Sequence, residues 1–184
     1  MKTERIILGI DPGTTIMGYG VVLQQGQQMK LVVMGVLKLG KYANQALKLR
    51  KIFERTLELI QEYHPDELAI EAPFFGKNVQ SMLKLGRAQG VAIAAALHCD
   101  IPIFEYSPKK IKQSVTGNGS ASKEQVAAML QTLLKFDTTP DYLDATDGLA
   151  AAVCHFFQSK LSLTQPTVSG WKAFISQNPG RVKG

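Results

Sequence analysis

The sequence predicts an α/β fold with a five-stranded mixed sheet flanked by helices. The hydrophobic pattern changes from continuous extended runs to helical spacing along the chain, and the predicted elements follow the order β-β-β-α-β-α-β-α-α-α. Short connections favour antiparallel strand neighbours, whereas strands separated by helices favour parallel ones. A chain of 184 residues has the size of a single domain.

Three extended segments open the chain, at residues 6–10, 19–23 and 31–37. The first reads Ile-Ile-Leu-Gly-Ile, as expected for a strand that is buried on both faces. Gly13 and Gly18 bracket the turn that follows it. These segments predict three antiparallel strands at one side of the sheet.

The later elements alternate between helices and strands and then become helical. In chain order they are a helix over 49–60 closed by Pro65, a strand at 67–71, a helix over about 77–98, a strand at 102–106, and helices starting near Ser107, Ser122 and Thr139. Ser107 is an N-cap before a proline, and Ser122 opens a capping box with Gln125. The last helix is predicted to end at about Phe157.

Composition excludes several classes of protein. The apolar fraction of 45% and charged fraction of 20% are those of a globular chain. No apolar run reaches transmembrane length, and the N-terminus does not resemble a signal peptide. Cys99 and Cys154 lie in apolar stretches without a CxxC motif, which suits buried free thiols and argues against a cysteine zinc site. We therefore expect a cytoplasmic protein that does not contact membranes.

The excess of basic over acidic side chains lies mostly in the second half of the chain. Residues 1–76 contain 9 basic and 8 acidic side chains, whereas residues 77–184 contain 12 and 7. This excess suits a polyanionic partner such as nucleic acid, although it also suits simple solubility. Residues 1–158 are predicted to form the folded domain and residues 159–184 a basic, mobile tail, in which Trp171 and Phe174 are the candidates for docking.

Four carboxylates stand out among the 15 acids. Asp11 and Glu71 each end an apolar strand, where an unpaired carboxylate is costly. Asp144 and Asp147 lie three residues apart on the last helix, outside its apolar arc. Such a helical pair alone is usually a solvated surface. Glu105 also lies in an apolar strand, but alternation from its neighbours points it outward.

Taken as a set, the four carboxylates suggest a cation site. If the last helix packs across the sheet, the acids meet and repel one another unless a cation lies between them. Oxygen ligands select Mg²⁺ or Mn²⁺. Two such ions about 3.5–4 Å apart activate water and stabilise a leaving oxygen in phosphoryl transfer. The three histidines are isolated in the sequence and receive no role.

The motifs resemble those of RuvC, the family of bacterial Holliday-junction resolvases, over about residues 5–157. The matching segments are Leu8-Gly9-Ile10-Asp11-Pro12-Gly13, Ala69-Ile70-Glu71-x-x-Phe74, Lys84-Leu85-Gly86-x-Ala88-x-Gly90, Gly117-x-Gly119-x-Ala121-x-Lys123 and Asp144-Ala145-x-Asp147. Gly148 departs from ordinary helix composition, because glycine costs up to ~1 kcal/mol relative to alanine there. The tail matches nothing in this pattern.

The resemblance implies an RNase H-like fold and a homodimer that nicks two strands of a four-way DNA junction symmetrically, in recombination and repair. It implies that the catalytic and metal-binding residues are Asp11, Glu71, Asp144 and Asp147, with Mg²⁺ as the cofactor, Mn²⁺ as a substitute and two ions per site. It carries DNA-binding roles to Phe74, Lys112 and Lys123, and we add Lys77 and Lys109 as further basic candidates. The RuvA–RuvB branch-migration complex is the implied partner.

The segment 91–97 is apolar nearly all round, which suits either the domain core or a dimer interface that small residues allow to approach closely. The resemblance favours the dimer.

Other functions remain open from the sequence. The first strand also resembles the phosphate loop of actin-like ATPases, but those have two such lobes. An RNase H-like nuclease that processes ribosomal RNA and a non-catalytic junction-binding module are the remaining alternatives.

Overall fold

The computed structural model describes residues 4–73, 78–137 and 142–164, with side-chain surroundings in the last range for residues 143–159. The elements are β1 (Glu4–Asp11), β2 (Ile16–Gln25), β3 (Gln28–Lys38), α1 (Gln45–Tyr63), β4 (Glu67–Glu71), α2 (Val79–His98), β5 (Ile103–Tyr106), α3 (Pro108–Thr116), α4 (Lys123–Leu134) and α5 (Tyr142–Thr164). Their order agrees with the predicted one.

The five strands form one mixed sheet with the order β3-β2-β1-β4-β5. The pairs β1–β2 and β2–β3 are antiparallel, and the pairs β1–β4 and β4–β5 are parallel. The predicted fold class is therefore confirmed. The first strand lies at the centre, which explains why its sequence is apolar on both faces.

Helices cover both faces of the sheet, and alternation along β1 separates the two cores. Ile7 packs in a cluster with residues of α3, α4 and α5, whereas Leu8 and Ile10 pack with residues of α1 and α2. By the same period of two, Asp11 lies on the α5 face, as do Glu67 and Glu71 of the neighbouring strand. The α5 face is thus where strand acids and helix acids meet.

The structure corrects the predicted end of α5. The helix continues to Thr164, beyond the predicted end near Phe157. No glycine or proline interrupts the sequence between Gly148 and Pro166, so the polar composition of this segment alone does not end the helix. Trp171 and Phe174 lie outside the described residues, and the division of the chain at residue 158 stays a prediction.

The other boundaries differ from the predictions by a few residues. Helix α2 begins at Val79, where the Asn78 side chain accepts a hydrogen bond from the Ser81 amide. Cys154 is buried, as predicted, but Cys99 is only half-buried. Within the described ranges, no helix combines the length and hydropathy needed to cross a bilayer.

Candidate active site

Asp11 and Glu71 lie side by side at one edge of the sheet. Each is the last residue of its strand, and the strands β1 and β4 are parallel neighbours with Ile10 opposite Ile70. Both side chains point to the face covered by α5. The topology therefore brings together two acids that are 60 residues apart in the sequence.

Close backbone packing carries Asp144 and Asp147 to the same edge. A Cβ atom on Gly148 would lie 2.5 Å from the Gly18 carbonyl, and one on Gly9 would lie 2.2 Å from the Gly148 carbonyl oxygen. Helix α5 thus rests directly on the backbone of β1 and β2. This contact explains the glycine in the helix, which the sequence alone presented as a cost.

The electrostatics show that the acids interact. Burial, followed by repulsion from Glu71, Asp147 and Asp144, raises the pKa of Asp11 well above its ordinary value. Burial and the charge of Asp147 raise the pKa of Glu71 to about 7. Burial also raises the pKa of Asp147. The four predicted acids are therefore close enough to influence one another's charge.

Lys123 partly neutralises the helical pair. Its Nζ donates a hydrogen bond to Asp147 and lies 3.5 Å from Oδ1 of Asp144. Burial alone would lower the pKa of this ammonium, but the hydrogen bond and charge of Asp147 raise it. In the parts of the chain that the structure describes, no three His, Cys, Asp or Glu side chains surround a single point as metal ligands do.

The donor set nevertheless fits a hard divalent cation. Four carboxylates supply oxygen ligands alone, and burial first and repulsion by neighbouring acids second raise the pKa of Asp11 and Glu71 even with Lys123 nearby. A divalent ion would supply the missing positive charge. Neither zinc-type sulfur nor imidazole ligands line the two cavities at this site.

Two cavities open beside the carboxylates. One of about 310 Å³ is lined by Asp11, Glu71, Asp144, Lys123, Leu85 and Gln89, among others. The other, of about 230 Å³, is lined by Asp11, Glu71, Asp147, Lys112 and Lys123, among others. Asp11, Glu71 and Lys123 are common to both, so the charged cluster forms the wall between two openings.

The remaining predicted residues are distributed unevenly. Lys112 lines the smaller cavity, whereas Lys109 is exposed, packs over Gly119 and is not among the residues that line either cavity. Phe74 and Lys77 lie outside the described residues. Glu105 is exposed and lines neither cavity.

Sequence reasoning missed Gln89. This residue is buried on α2, lines the larger cavity, and donates from Nε2 to Oε2 of Glu105 at 2.7 Å. Its position just before the apolar segment 91–97 of the same helix was the available signal, because a buried amide needs a partner.

Comparison with known proteins agrees with this site. The family model described as crossover junction endodeoxyribonuclease RuvC matches residues 7–155. The protein of that name from Christiangramia forsetii is 61% identical over 183 residues, covering 100% of this chain and 95% of the relative. The one from Bacteroides fragilis is 64% identical over 182 residues, covering 98% and 97%.

Solved structures give the same result. The RuvC of T. thermophilus in complex with a Holliday junction substrate superposes with a TM-score of 0.78 at 31% identity, covering 86% of this chain and 96% of that one. The yeast mitochondrial Holliday junction resolvase Ydc2, at 16% identity and a TM-score of 0.65, covers 95% and 84% and shares the fold. With four carboxylates meeting at the sheet edge and full-length relatives of this identity, the chain belongs to the RuvC family of crossover junction endodeoxyribonucleases.

Proposed function

We propose that this protein resolves four-way DNA junctions by hydrolysing one phosphodiester bond in each of two strands, with Asp11, Glu71, Asp144 and Asp147 as its catalytic residues. The observation that carries the proposal is the meeting of these acids, from three separate elements, beside two cavities. The family membership supports the substrate. The products would carry 5′-phosphate and 3′-hydroxyl ends.

The same four carboxylates are proposed to hold Mg²⁺, with Mn²⁺ as a substitute and two ions per site. Such ions, when bound, activate a water molecule and stabilise the leaving oxygen of the phosphodiester. The acids contribute by fixing negative charge where the ions are needed. Their partial burial limits competition from bulk water, as the raised pKa values of Asp11 and Glu71 indicate.

Basic residues around the site are proposed to bind the DNA backbone. Lys112 and Lys123 line the cavities with the carboxylates, so their charges are placed to neutralise the phosphate that reacts. Lys109 and Lys77 are proposed to contact phosphates further from the cleavage point. Phe74 is proposed to stack on an unpaired base, an interaction worth about 1–3 kcal/mol.

A second copy of the chain is proposed to pack on an exposed stripe of α2. Val79, Leu83 and Leu97 are 64%, 50% and 59% exposed, which is unusual for side chains of this kind. Between them, a Cβ atom added at Gly86 or Gly90 would meet nothing within 4 Å. The opposite side of the 91–97 segment is core, since Ala92, Ala95 and Ala96 are fully buried.

The dimer has a direct test. Leu83→Asp introduces a charge into the stripe and is expected to convert the protein to a monomer, measured by sedimentation velocity, while its circular dichroism stays that of the wild type. Lys84→Asp, one residue along and also exposed, is the matched control and is expected to stay dimeric. Dimeric Leu83→Asp protein would place the interface elsewhere.

Two further parts of the proposal concern the cellular setting. The RuvA–RuvB branch-migration complex is proposed as the partner that delivers the junction, and the cytoplasm as the compartment where this DNA is processed. Both are supported by the family membership alone.

The catalytic proposal is tested by cleavage of labelled substrates in Mg²⁺. We expect symmetric nicks in a synthetic four-way junction, little cleavage of linear duplex or structured RNA, and loss of activity in EDTA. Asp11→Asn is expected to bind the junction without cutting it, and the exposed Glu62→Gln serves as the control.

The alternatives are separate outcomes of this assay. Preferential RNA cleavage would favour the ribosomal-RNA nuclease, and binding without cleavage by the wild type would favour the non-catalytic module. Undiminished cutting by Asp11→Asn would overturn the assignment of the carboxylates.

A further inference from the structure

A network of polar side chains joins α5 to three strands at the end of the helix remote from the carboxylates. His155 Nε2 donates to Oε2 of Glu67 at 2.7 Å, and the Tyr106 hydroxyl lies 2.6 Å from His155 Nδ1. Arg5 contacts Glu67 at 2.9 Å and donates to the Ser159 hydroxyl at 2.6 Å. We call Arg5, Glu67, Tyr106, His155 and Ser159 the polar bracket.

The histidine of the polar bracket is held in one orientation. His155 is 2% exposed, and its ring lies 4.2 Å from the ring of Phe104. A carboxylate only accepts hydrogen bonds, so Nε2 carries a proton toward Glu67, and in the neutral ring Nδ1 accepts from Tyr106. With both nitrogens engaged, rotation of the ring or displacement of the helix breaks at least one buried hydrogen bond.

At the carboxylates, the hydrogen bonds described for Asp144 and Asp147 go to Lys123 of α4 and not to the sheet. At the carboxylates the helix contacts β1 and β2 through Gly9, Gly18 and Gly148, with backbone facing backbone. Such a surface allows close approach, and beside it the side chains of Leu149 and Ala152 pack onto Gly20 and Gly9. The polar bracket adds directional contacts to this nonpolar packing, because a hydrogen bond tolerates little displacement of its partners.

The spacing of the two acids along β4 matches the spacing of Asp147 and His155 along α5. Glu67 and Glu71 are four residues apart on β4, which corresponds to ~13 Å of strand. His155 and Asp147 are eight residues apart on α5, which corresponds to ~12 Å of helix. A contact between Glu67 and His155 thus places Asp147 level with Glu71 at the other end.

We propose that His155, through its hydrogen bonds to Glu67 and Tyr106, is a positioning residue that sets the axial register of α5 and so the alignment of the helix acids with the strand acids. This inference rests on the proposed function, because it assigns the acids to one metal-binding site. It predicts that loss of the bracket loosens that site without removing any residue that contacts DNA.

The test uses His155→Phe, which keeps an aromatic ring beside Phe104 but removes both hydrogen bonds. We expect Mn²⁺ alone, followed by electron paramagnetic resonance, to bind at least about tenfold more weakly, because misplacement by 1 Å has effects of this size or larger. We expect kcat for junction cleavage to fall about as much, with the KM for junction DNA within about twofold of the wild type.

Two further variants separate positioning from general destabilisation. Val153→Ala removes buried methyl groups two residues away on the same helix, and we expect its Mn²⁺ affinity and kcat to stay at the wild-type level. His155→Gln retains one donor and one acceptor, and we expect it to recover part of both quantities. Where His155→Phe fails to fold, Tyr106→Phe removes one hydrogen bond alone and is expected to show the same split on a smaller scale.

The outcomes are distinct. Mn²⁺ affinity and kcat that are unchanged in His155→Phe, or that fall equally in Val153→Ala at a similar loss of Tm, would overturn the positioning role. The Mn²⁺ measurement does not depend on cleavage, so failure of the wild type to cut junctions would count against the proposed function alone.

Discussion

The two ends of α5 solve opposite electrostatic problems. At its start, Asp144 and Asp147 join Asp11 and Glu71, and one lysine is shared among the acids. At its far end, Glu67 lies between Arg5 and His155, and although burial would raise the pKa of Glu67, these partners lower it. At the first end acids lie beside other acids and repel one another, whereas at the second end the acid lies beside basic partners that attract it. The comparison shows that one helix combines a site prepared for cations with a contact that holds the fold together.

The test with the largest expected effect removes the carboxylate charge at one end of β4 or at the other. Glu71→Gln is expected to reduce junction cleavage about 10³-fold, the scale of losing several kcal/mol of metal-assisted stabilisation. In EDTA at pH 8 the same variant is expected to raise Tm, since it removes repulsion. Glu67→Gln is expected to lower Tm, since Arg5 and His155 lose their charged partner.

Each kcal/mol corresponds to about 2–4 °C for a chain of this size, so differential scanning calorimetry resolves both signs. Shifts of Tm in the same direction for the two variants would remove the distinction between the two ends.

The next largest effect is expected when the close contact between Gly148 and Gly18, beside the carboxylates, is disrupted. Gly148→Ala places a Cβ atom 2.5 Å from the Gly18 backbone, so α5 must move away from β2. We expect a loss of about 1–3 kcal/mol in the free energy of unfolding, measured with urea, and a larger loss of cleavage. Gly40→Ala is the control, because its Cβ meets only Thr15 Cγ2, at 3.6 Å. A stable and active Gly148→Ala protein would contradict the close packing.

The dependence of stability on pH tests the cost of burying Asp11 and Glu71 beside other acids. The pKa of Glu71 rises from the ordinary value of 4.5 to about 7 in the folded protein, and that of Asp11 is raised as well. The folded state therefore binds more protons than the unfolded one between these limits, and stability falls as pH increases through this window.

In EDTA we expect Tm to decline from pH 4.5 to about 7 through this contribution and then to level off. Mg²⁺ should oppose the decline, and Glu71→Gln should flatten it. A metal-free Tm that rises across this window in the wild type and is unaffected by Glu71→Gln would count against the repulsion.

The smallest expected effect distinguishes two lysines of α3. Lys112 lines the cavity beside Asp147, whereas Lys109 is not among its lining residues and packs over Gly119. Replacing either by alanine should reduce the slope of log K against log[salt] by about one phosphate contact. Only Lys112→Ala should also reduce kcat at saturating junction DNA, measured under single-turnover conditions. Equal kcat values for both variants would show that Lys112 contacts DNA phosphates without acting on the phosphate that reacts.

The fold could be predicted from the sequence because the order of its elements depends on local patterns, whereas the roles of the four acids stay a prediction. Period-two alternation puts Asp11 and Glu71 on one face, and parallel pairing then puts them at one edge. The polar bracket depends instead on contacts such as Glu67 with His155, which are 88 residues apart. An isolated histidine in an apolar helix gives no sign of its partner. Likewise, Gly148 looked unfavourable until its packing against Gly18 was seen.

Helix α2 lies between the cavity at the carboxylates and the exposed stripe proposed for the second subunit. Leu85 and Gln89 line the larger of the two cavities, while Leu83 and Gly86 lie on the stripe proposed for the second subunit. In a dimer that forms through this stripe, α2 would contact the cavity on one side and the second subunit on the other. A shift of α2 at the proposed interface would therefore also move Leu85 and Gln89 at the cavity.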